Sequence, residues 1–343
     1  MELQSKMKPG YASVASDGLQ ERETGSWNHT RSLVPNLHQG TEIAVLIPCY
    51  NEELTVGKVI DDFHRELPRA TIYVFDNCST DATAKIAQEH GAIVFKESRK
   101  GKGFVVDSMF ARVEADLYVL VDGDDTYPAD HVHKLLEPIV LGDADMVVGG
   151  RLTNHTDKSF RPLHLVGNRL VCALVNWIGR SRLSDIMSGY RAFNRNVRKR
   201  IPVVSSGFEV ETDLTLQMLY YTLKIVEVDV PYRERCAGSE SKLRTFHDGF
   251  RVLWKIFSLL RSFKPLTFFG AIGLLLFLLA LLAGAFPIHD YFTDPGHYVH
   301  HVPLAILAAA LMLLSWSFVF LGVLLHALNW RLRELHNVFT RGQ

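Results

Sequence analysis

Two uncharged apolar runs near the C-terminus constrain this chain more than any other feature. Leu266 to Phe286 is 21 residues long without an ionisable group, and Val302 to Leu328 carries only His326. At about 1.5 Å per residue, each is long enough to cross the roughly 30 Å of a hydrocarbon core. Both exceed the stretch of about 10–14 apolar residues that a buried helix of a soluble protein carries. The sequence therefore predicts two transmembrane helices, about 266–286 and 302–328, within a membrane unit spanning 265–330. Arg251, Lys255, Arg261 and Lys264 precede the first run, Arg331, Arg333 and Arg341 follow the second, and the loop 287–301 has no Lys or Arg. The positive-inside rule places the large N-terminal part and the tail 331–343 in the cytoplasm. The expected location is the inner (plasma) membrane.

Charge divides along the same line. Of 37 basic and 37 acidic residues, only Asp290, Asp294, Arg331, Arg333, Glu334 and Arg341 lie beyond residue 264. The chain is neutral overall, which argues against a nucleic-acid binder, since that needs a basic excess to track phosphates. Four scattered cysteines with no CxxC pair exclude a zinc ribbon and suit reduced thiols on a cytosolic face. Residues 1–40 are polar without an apolar period and read as a disordered tail, lacking the apolar core of a signal peptide. Just before the first span, Phe250, Leu253, Trp254, Phe257 and Leu260 keep helical spacing. This predicts an amphipathic juxtamembrane helix over 246–264 lying on the bilayer surface, although the same period suits a helix packed on the soluble domain.

Between residues 41 and 245, strand and helix patterns alternate. Ile43–Pro48, Thr71–Asp76, Ala92–Lys96, Leu117–Asp122 and Met146–Gly150 read as strands. Leu54–Leu67, Ala82–His90 with an Asp81 cap, Phe104–Val113 and His131–Leu141 read as helices. This rhythm predicts an α/β domain with a mostly parallel, Rossmann-like sheet covered on both faces. Ligands of such sheets bind beyond the carboxyl ends of the strands. Three strands end in polar clusters: Pro48-Cys49-Tyr50-Asn51-Glu52-Glu53, Asp76-Asn77-Cys78-Ser79-Thr80-Asp81 and Asp122-Gly123-Asp124-Asp125. The Asp-x-Asp pair after an apolar strand suits a hard divalent cation shared with substrate phosphates. Lys100-Gly101-Lys102-Gly103 is a basic turn ahead of a helix, suited to an anion or to simple solvation. No P-loop and no GxGxxG after a strand is present. His131 with His133, and His297 with His300 and His301, are rival metal-ligand sets, less suited because the first pair diverges on a helix and the second lies in a polar loop.

Together, PCYNEE, DNCSTDAT, GKG and VDGDD, in this order, resemble the GT-A domain of family 2 glycosyltransferases. With two C-terminal spans, the chain is similar to the polyprenyl-phosphate glycosyltransferases, the group of dolichol-phosphate mannose synthase and bactoprenol glucosyl transferase. Gly149-Gly150-Arg151, Asp185 through Arg191, and Tyr232-Arg233-Glu234-Arg235 with Ser239 through Lys242 extend the match. The resemblance implies that Pro48, Tyr50, Glu52 and Asp76 bind the nucleotide base and ribose, with Lys102, Asp122 and Gly123 near its phosphates. It implies that Asp122 and Asp124 hold Mg²⁺ or Mn²⁺. Many relatives read DADLQ here; Thr126 stands in place of that Gln and leaves coordination at that position open. The QxxRW signature of processive synthases is absent.

The implied reaction is inverting transfer of a hexose from a UDP- or GDP-linked sugar to a polyprenyl phosphate at the membrane. A phosphate monoester, with a second pKa of about 6, is already largely ionised and needs no strong base. Arg151, Arg235 and Lys242 are the expected cations for acceptor or donor phosphate, and Asp185 is expected to orient the reacting groups together with Arg191. Glu209 or Glu211 is expected near the sugar, unless the two only complement a helix dipole. The alternative is a hydroxyl acceptor such as a glycolipid or diacylglycerol, which would need a base, with Asp185 or Glu211 as candidates. The resemblance further implies a homo-oligomer, such as a tetramer, assembled through the membrane helices.

Overall fold

The computed structural model describes residues 40–151, 162–179, 181–203, 205, 207, 209–233, 257, 258 and 260–341. The expected tail, most of the expected amphipathic helix, Glu234, Arg235 and Lys242 lie outside the described residues.

Seven strands form one sheet: β1 (Ile43–Cys49), β2 (Thr71–Asp76), β3 (Ile93–Lys96), β4 (Leu117–Leu120), β5 (Met146–Gly150), β6 (Arg191–Asn194) and β7 (Ile225–Asp229). Their order is β3-β2-β1-β4-β6-β5-β7. All neighbours run parallel except β6, which is antiparallel to both β4 and β5. This reversal matters for the site. The carboxyl ends of β1, β2, β4, β5 and β7 share one edge, and β6 brings its amino end, Arg191, to that edge opposite Leu120. The segment 185–190 is thereby delivered beside the polar ends of β1, β2 and β4.

Alternation along the strands builds two cores. Val45, Ile47, Ile72, Val74 and Val119 face helices α1 (Val56–Glu66) and α4 (Val132–Val140), with Ile60, Phe63, Leu135 and Leu136 fully buried among them. Ala44, Leu46, Phe75, Tyr118 and Leu120 face α3 (Lys102–Arg112) and α7 (Val210–Tyr220), packing on Val106, Met109, Leu214 and Met218. Helices α2 (Thr83–Glu89), α5 (Pro162–Gly179) and α6 (Arg195–Arg200) complete the domain. The expected strand through Asp122 ends at Leu120, so the Asp-x-Asp residues lie in the following loop. Asp81 bonds the Thr83 amide at 3.0 Å and so caps α2 from one residue outside its cap position.

The turn that begins α3 is held by side chains rather than by its own sequence. Asn77 donates to the carbonyls of Glu97 and Arg99 and accepts from the Gly101 amide at 2.8 Å. Gly101 takes φ +141°, a backbone state that favours glycine. Buried Glu97 binds Arg99 through two bonds of 3.0 Å and also accepts from Ser108.

Helices α8 (Pro265–Thr293) and α9 (Val302–Arg341) are the two candidate membrane spans. Both are longer than the apolar runs: α8 continues through Pro287 to Thr293, and α9 continues past Leu328. Interior Pro is tolerated in such helices when its surroundings satisfy the freed carbonyl. The pair packs through small residues, with Ser315 donating to the Gly273 carbonyl at 2.8 Å. Leu274, Leu282, Phe286, Leu313, Trp316 and Phe320 stay exposed, as lipid contact requires. At the base, the Tyr220 hydroxyl donates to the Asn329 carbonyl at 3.1 Å, and Phe263 packs on the cluster of Val171, Val175, Ile186 and Leu216. The α/β domain is thus tied to α9 and to the residues that lead into α8.

The Arg99 hydrogen bonds, opposed by burial, hold the Glu97 carboxyl down at about 2 from an ordinary 4.5. A depressed carboxyl pKa contributes stability above the ordinary value, and that contribution is lost as pH falls from 4.5 toward about 2. Thermal unfolding from pH 6 to pH 2.5 is expected to show a steeper loss for the wild type than for Glu97→Gln. Equal slopes would mean that this network adds nothing to stability.

Candidate active site

Glu52, Asp76, Asp122 and Asp124 lie around the ends of β1, β2 and β4. Cys49, the last residue of β1, is buried, and its thiol is pushed well up by burial and by Glu52, Asp76, Asp122 and Asp124. Gly123 is obligatory there, because a Cβ would lie 2.7 Å from Cys49 Sγ. Its carbonyl accepts from Thr55 Oγ1 at 2.6 Å, fixing the turn between the two aspartates. Asp124 is buried, and one of its oxygens accepts from the Thr126 hydroxyl at 2.6 Å and the Thr126 amide at 3.3 Å. Thr126 is therefore a fully buried support for Asp124.

The expected nucleotide side is assembled from β1 and β2. Asp76 is buried and accepts from the Ser79 amide at 3.1 Å. Half-buried Pro48 leads into Tyr50, whose ring lies 4.8 Å from Lys100 Nζ and whose hydroxyl is 3.1 Å from it. Asn51, at φ +55°, accepts from the Thr80 amide, and the Glu52 amide donates to Thr83 Oγ1. These bonds lock the β1 loop to the β2 loop.

The cationic side has two cations, Lys102 and Arg151, which make three ion pairs. Lys102 Nζ is shared between Asp122 Oδ1 and Glu211 Oε1, each 2.5 Å away. Burial opposes its charge, but the two carboxylates outweigh that and hold its proton more tightly than in water. Arg151 forms a fork on Asp185 with bonds of 2.7 and 3.1 Å, and its guanidinium lies 5.5 Å from the Tyr232 ring. Asp185 is fully buried; burial would raise its carboxyl, yet Arg151 holds it below the ordinary range.

Arg191 corrects an expectation. Expected with Asp185 at the reacting groups, it is fully buried and makes its hydrogen bonds to the interior of the domain. Its guanidinium donates to the carbonyls of Ile186 and Ser188 at 2.7 and 2.9 Å and to Thr215 at 2.9 Å. It braces the 185–190 segment from behind. Two residues escaped the sequence reading or were underweighted in it. The buried Tyr127 hydroxyl accepts from the Gly189 amide at 3.1 Å and lies 3.3 Å from Ser188 Oγ, and its ring packs between Tyr190 and Tyr232. Glu211, expected near the sugar or else as a helix-dipole partner, is the second counter-ion of Lys102.

Among the described residues, no group of three or more His, Cys, Asp or Glu side chains converges as a protein-only metal centre. The histidines have other company: His131 with Asp130, His133 with Glu66, His300 with Asp294 and His301 with Asp290. Asp122 and Asp124 offer two hard oxygen donors in an acid-rich cleft. That fits a cation such as Mg²⁺, which takes one or two carboxylates and completes its shell from substrate phosphates and water.

A mostly parallel sheet of this order, with the polar strand ends on one edge, is a GT-A fold. Residues 44–201 match the model of Glycosyl transferase family 2. Glycosyltransferase AglJ of Haloferax volcanii is 32% identical over 232 residues, covering 67% of this chain and 76% of that protein. The dolichyl-phosphate hexose transferase of the same organism is 32% identical over 210 residues, covering 61% and 89%. Glucosyl-3-phosphoglycerate synthase of Mycobacterium tuberculosis, solved with Mn²⁺ and UDP-glucose, superposes with a TM-score of 0.54 at 22% identity, covering 74% and 84%. The chain belongs to glycosyltransferase family 2.

Two substitutions separate positioning from support. A Cβ at Gly189 would collide with Asp122 Oδ2. Gly189→Ala is expected to cost about 100-fold in sugar-transfer turnover, the scale of a 1 Å misplacement, with the fold retained by circular dichroism. Arg191→Met strands two buried carbonyls and is expected to cost about 3 kcal/mol of stability, read from denaturant unfolding. Its turnover per folded molecule stays near wild type.

Proposed function

We propose that this enzyme transfers a hexose, with inversion, from a nucleoside-diphosphate sugar to a polyprenyl phosphate at the cytosolic face of the inner membrane. The observation that carries this reading is the state of the two acids nearest the cations. Asp185 is locked on Arg151, and Glu211 is locked on Lys102. A hydroxyl acceptor needs one of them as a base, and a carboxylate held by an ion pair is a poor one. A phosphate monoester, with a pKa of about 6, arrives ionised. The dolichyl-phosphate hexose transferase among the relatives and the two apolar helices support the same acceptor class.

In this reading Pro48, Tyr50, Glu52 and Asp76 hold the base and ribose, and Lys102 with the Gly123 backbone faces the diphosphate. Asp122 and Asp124 are the residues that would hold Mg²⁺ or Mn²⁺, which supplies positive charge against the departing diphosphate. Thr126 keeps the Asp124 carboxylate aimed. Arg151, oriented by Asp185, grips the acceptor phosphate, helped by Arg235 and Lys242. The phosphate oxygen attacks the anomeric carbon opposite the leaving group, so the work of the protein is to place two anions in line and offset their charge. The catalytic unit 41–245, the surface helix 246–264, the spans of 265–330 and the tail 331–343 form the organisation we propose, assembled as a homo-oligomer through the spans.

Membranes containing the protein, incubated with a panel of UDP- and GDP-sugars, Mn²⁺ and undecaprenyl phosphate, are expected to yield one polyprenyl-phosphate hexose by mass spectrometry. A product formed only on diacylglycerol or a glycolipid would replace this reading with the hydroxyl-acceptor one. Asp124→Ala is expected to lower transfer by at least about 100-fold. Undiminished transfer would remove the metal role.

A further inference from the structure

The shared ammonium of Lys102 poses a problem that the proposed reaction has to solve. Asp122 Oδ1 is occupied by Nζ at 2.5 Å, while Asp122 Oδ2 lies so close to Gly189 that no Cβ fits there. The carboxylate cannot swing toward Gly189 to open a second face. A divalent cation arriving at Asp122 therefore meets an ammonium already in place, and like charges a few ångströms apart in a protein interior repel strongly. Lys102 cannot withdraw as a whole either. It opens α3 directly after Gly101, whose amide is pinned by Asn77 at 2.8 Å, and its side chain is only 12% exposed. A buried ammonium without a counter-charge is costly. Glu211, buried in the first turn of α7, meets that cost from the side opposite Asp122.

We propose that Lys102 and the divalent cation compete for Asp122, and that Glu211 is the positioning residue that receives the ammonium when the cation takes that carboxylate. This rests on the assignment of Asp122 and Asp124 as the metal-holding pair. It makes the site a poor metal binder until donor phosphates arrive, because only they repay the loss of the Lys102–Asp122 pair. Once released, the same ammonium stays in the cleft, on Glu211, with its charge turned to the diphosphate. Metal and nucleotide sugar are then loaded together.

The test uses the full chain in lipid nanodiscs without nucleotide, with Mn²⁺ as the probe and its binding read by electron paramagnetic resonance. Lys102→Met is expected to tighten Mn²⁺ binding by about tenfold, and Glu211→Gln to weaken it by about fivefold. In the Lys102→Met, Glu211→Gln double variant, the Glu211 change loses most of its effect, because no ammonium remains to be relocated. Asp124→Ala abolishes the signal, which assigns it to this pair. Unchanged or weaker binding in Lys102→Met, an equal Glu211 effect in both backgrounds, or a signal surviving Asp124→Ala overturns the inference. Lys102→Gln and the Mn²⁺-dependent shift in Tm read the same competition if the Met variant folds poorly. No donor or acceptor enters the measurement. Failure of transfer to polyprenyl phosphate leaves the competition standing, and transfer with an unmoved Mn²⁺ affinity removes only the competition.

Discussion

A single ammonium, buried between two carboxylates 2.5 Å away, ties together the parts of this enzyme that the backbone alone leaves separate. Lys102 belongs to α3, on one side of the sheet edge. Asp122 belongs to the loop after β4, and Glu211 to α7, about ninety residues later in the chain. An ion pair at the surface would hold such pieces together weakly, because solvent screens it and side-chain entropy opposes it. Burial changes this. Removing Lys102 would leave Glu211 in a low-dielectric setting without its counter-charge, so the ammonium and its carboxylates depend on one another. The Asn77 bond to Gly101 and the glycine at 189 then read as conditions for bringing the three groups to one point.

The parts of this arrangement that could be read from the sequence were those with a local cause. Strands β1, β2 and β4 are short apolar runs with alternating destinations, and the polar residues that end them had to collect at one edge once the strands ran parallel. Asp122 and Asp124 were legible because a two-residue spacing on a turn has a direct chemical use. Arg191 misled because nearness in sequence to Asp185 says nothing about direction: β6 carries its side chain into the core, where carbonyls rather than ligands await it. Tyr127 carries no signature at all, since its role depends on Gly189 and Ser188 arriving from sixty residues away. Helix α7 is buried on nearly every side, so its pattern singled out neither Glu209 nor Glu211 and gave no sign that Glu211 would pair with Lys102. The reversal of β6 is likewise a long-range pairing with no local mark.

The two candidate membrane spans show the same division. Their existence followed from two apolar runs, but their ends did not, because a helix continues wherever its backbone bonds are met. Thus α8 passes through Pro287, and α9 carries on into a polar segment where Arg331 and Glu334 pair one turn apart. The seam between the catalytic domain and these helices is made of Tyr220, Phe263, Asn329 and Ser262, four residues without a shared pattern.

That seam gives α7 a double attachment. Its first turn carries Glu211, held in the cleft by Lys102, and its last residue, Tyr220, is bonded to a carbonyl of α9. Eleven residues of α-helix measure about 16 Å. The helix therefore sets the spacing between Lys102 and the Asn329 end of α9. On our proposal, that fixed spacing limits how far the phosphate of a lipid acceptor can stand from its chain when it meets the sugar. The fold, rather than the lipid, would then decide which headgroups are tall enough to react.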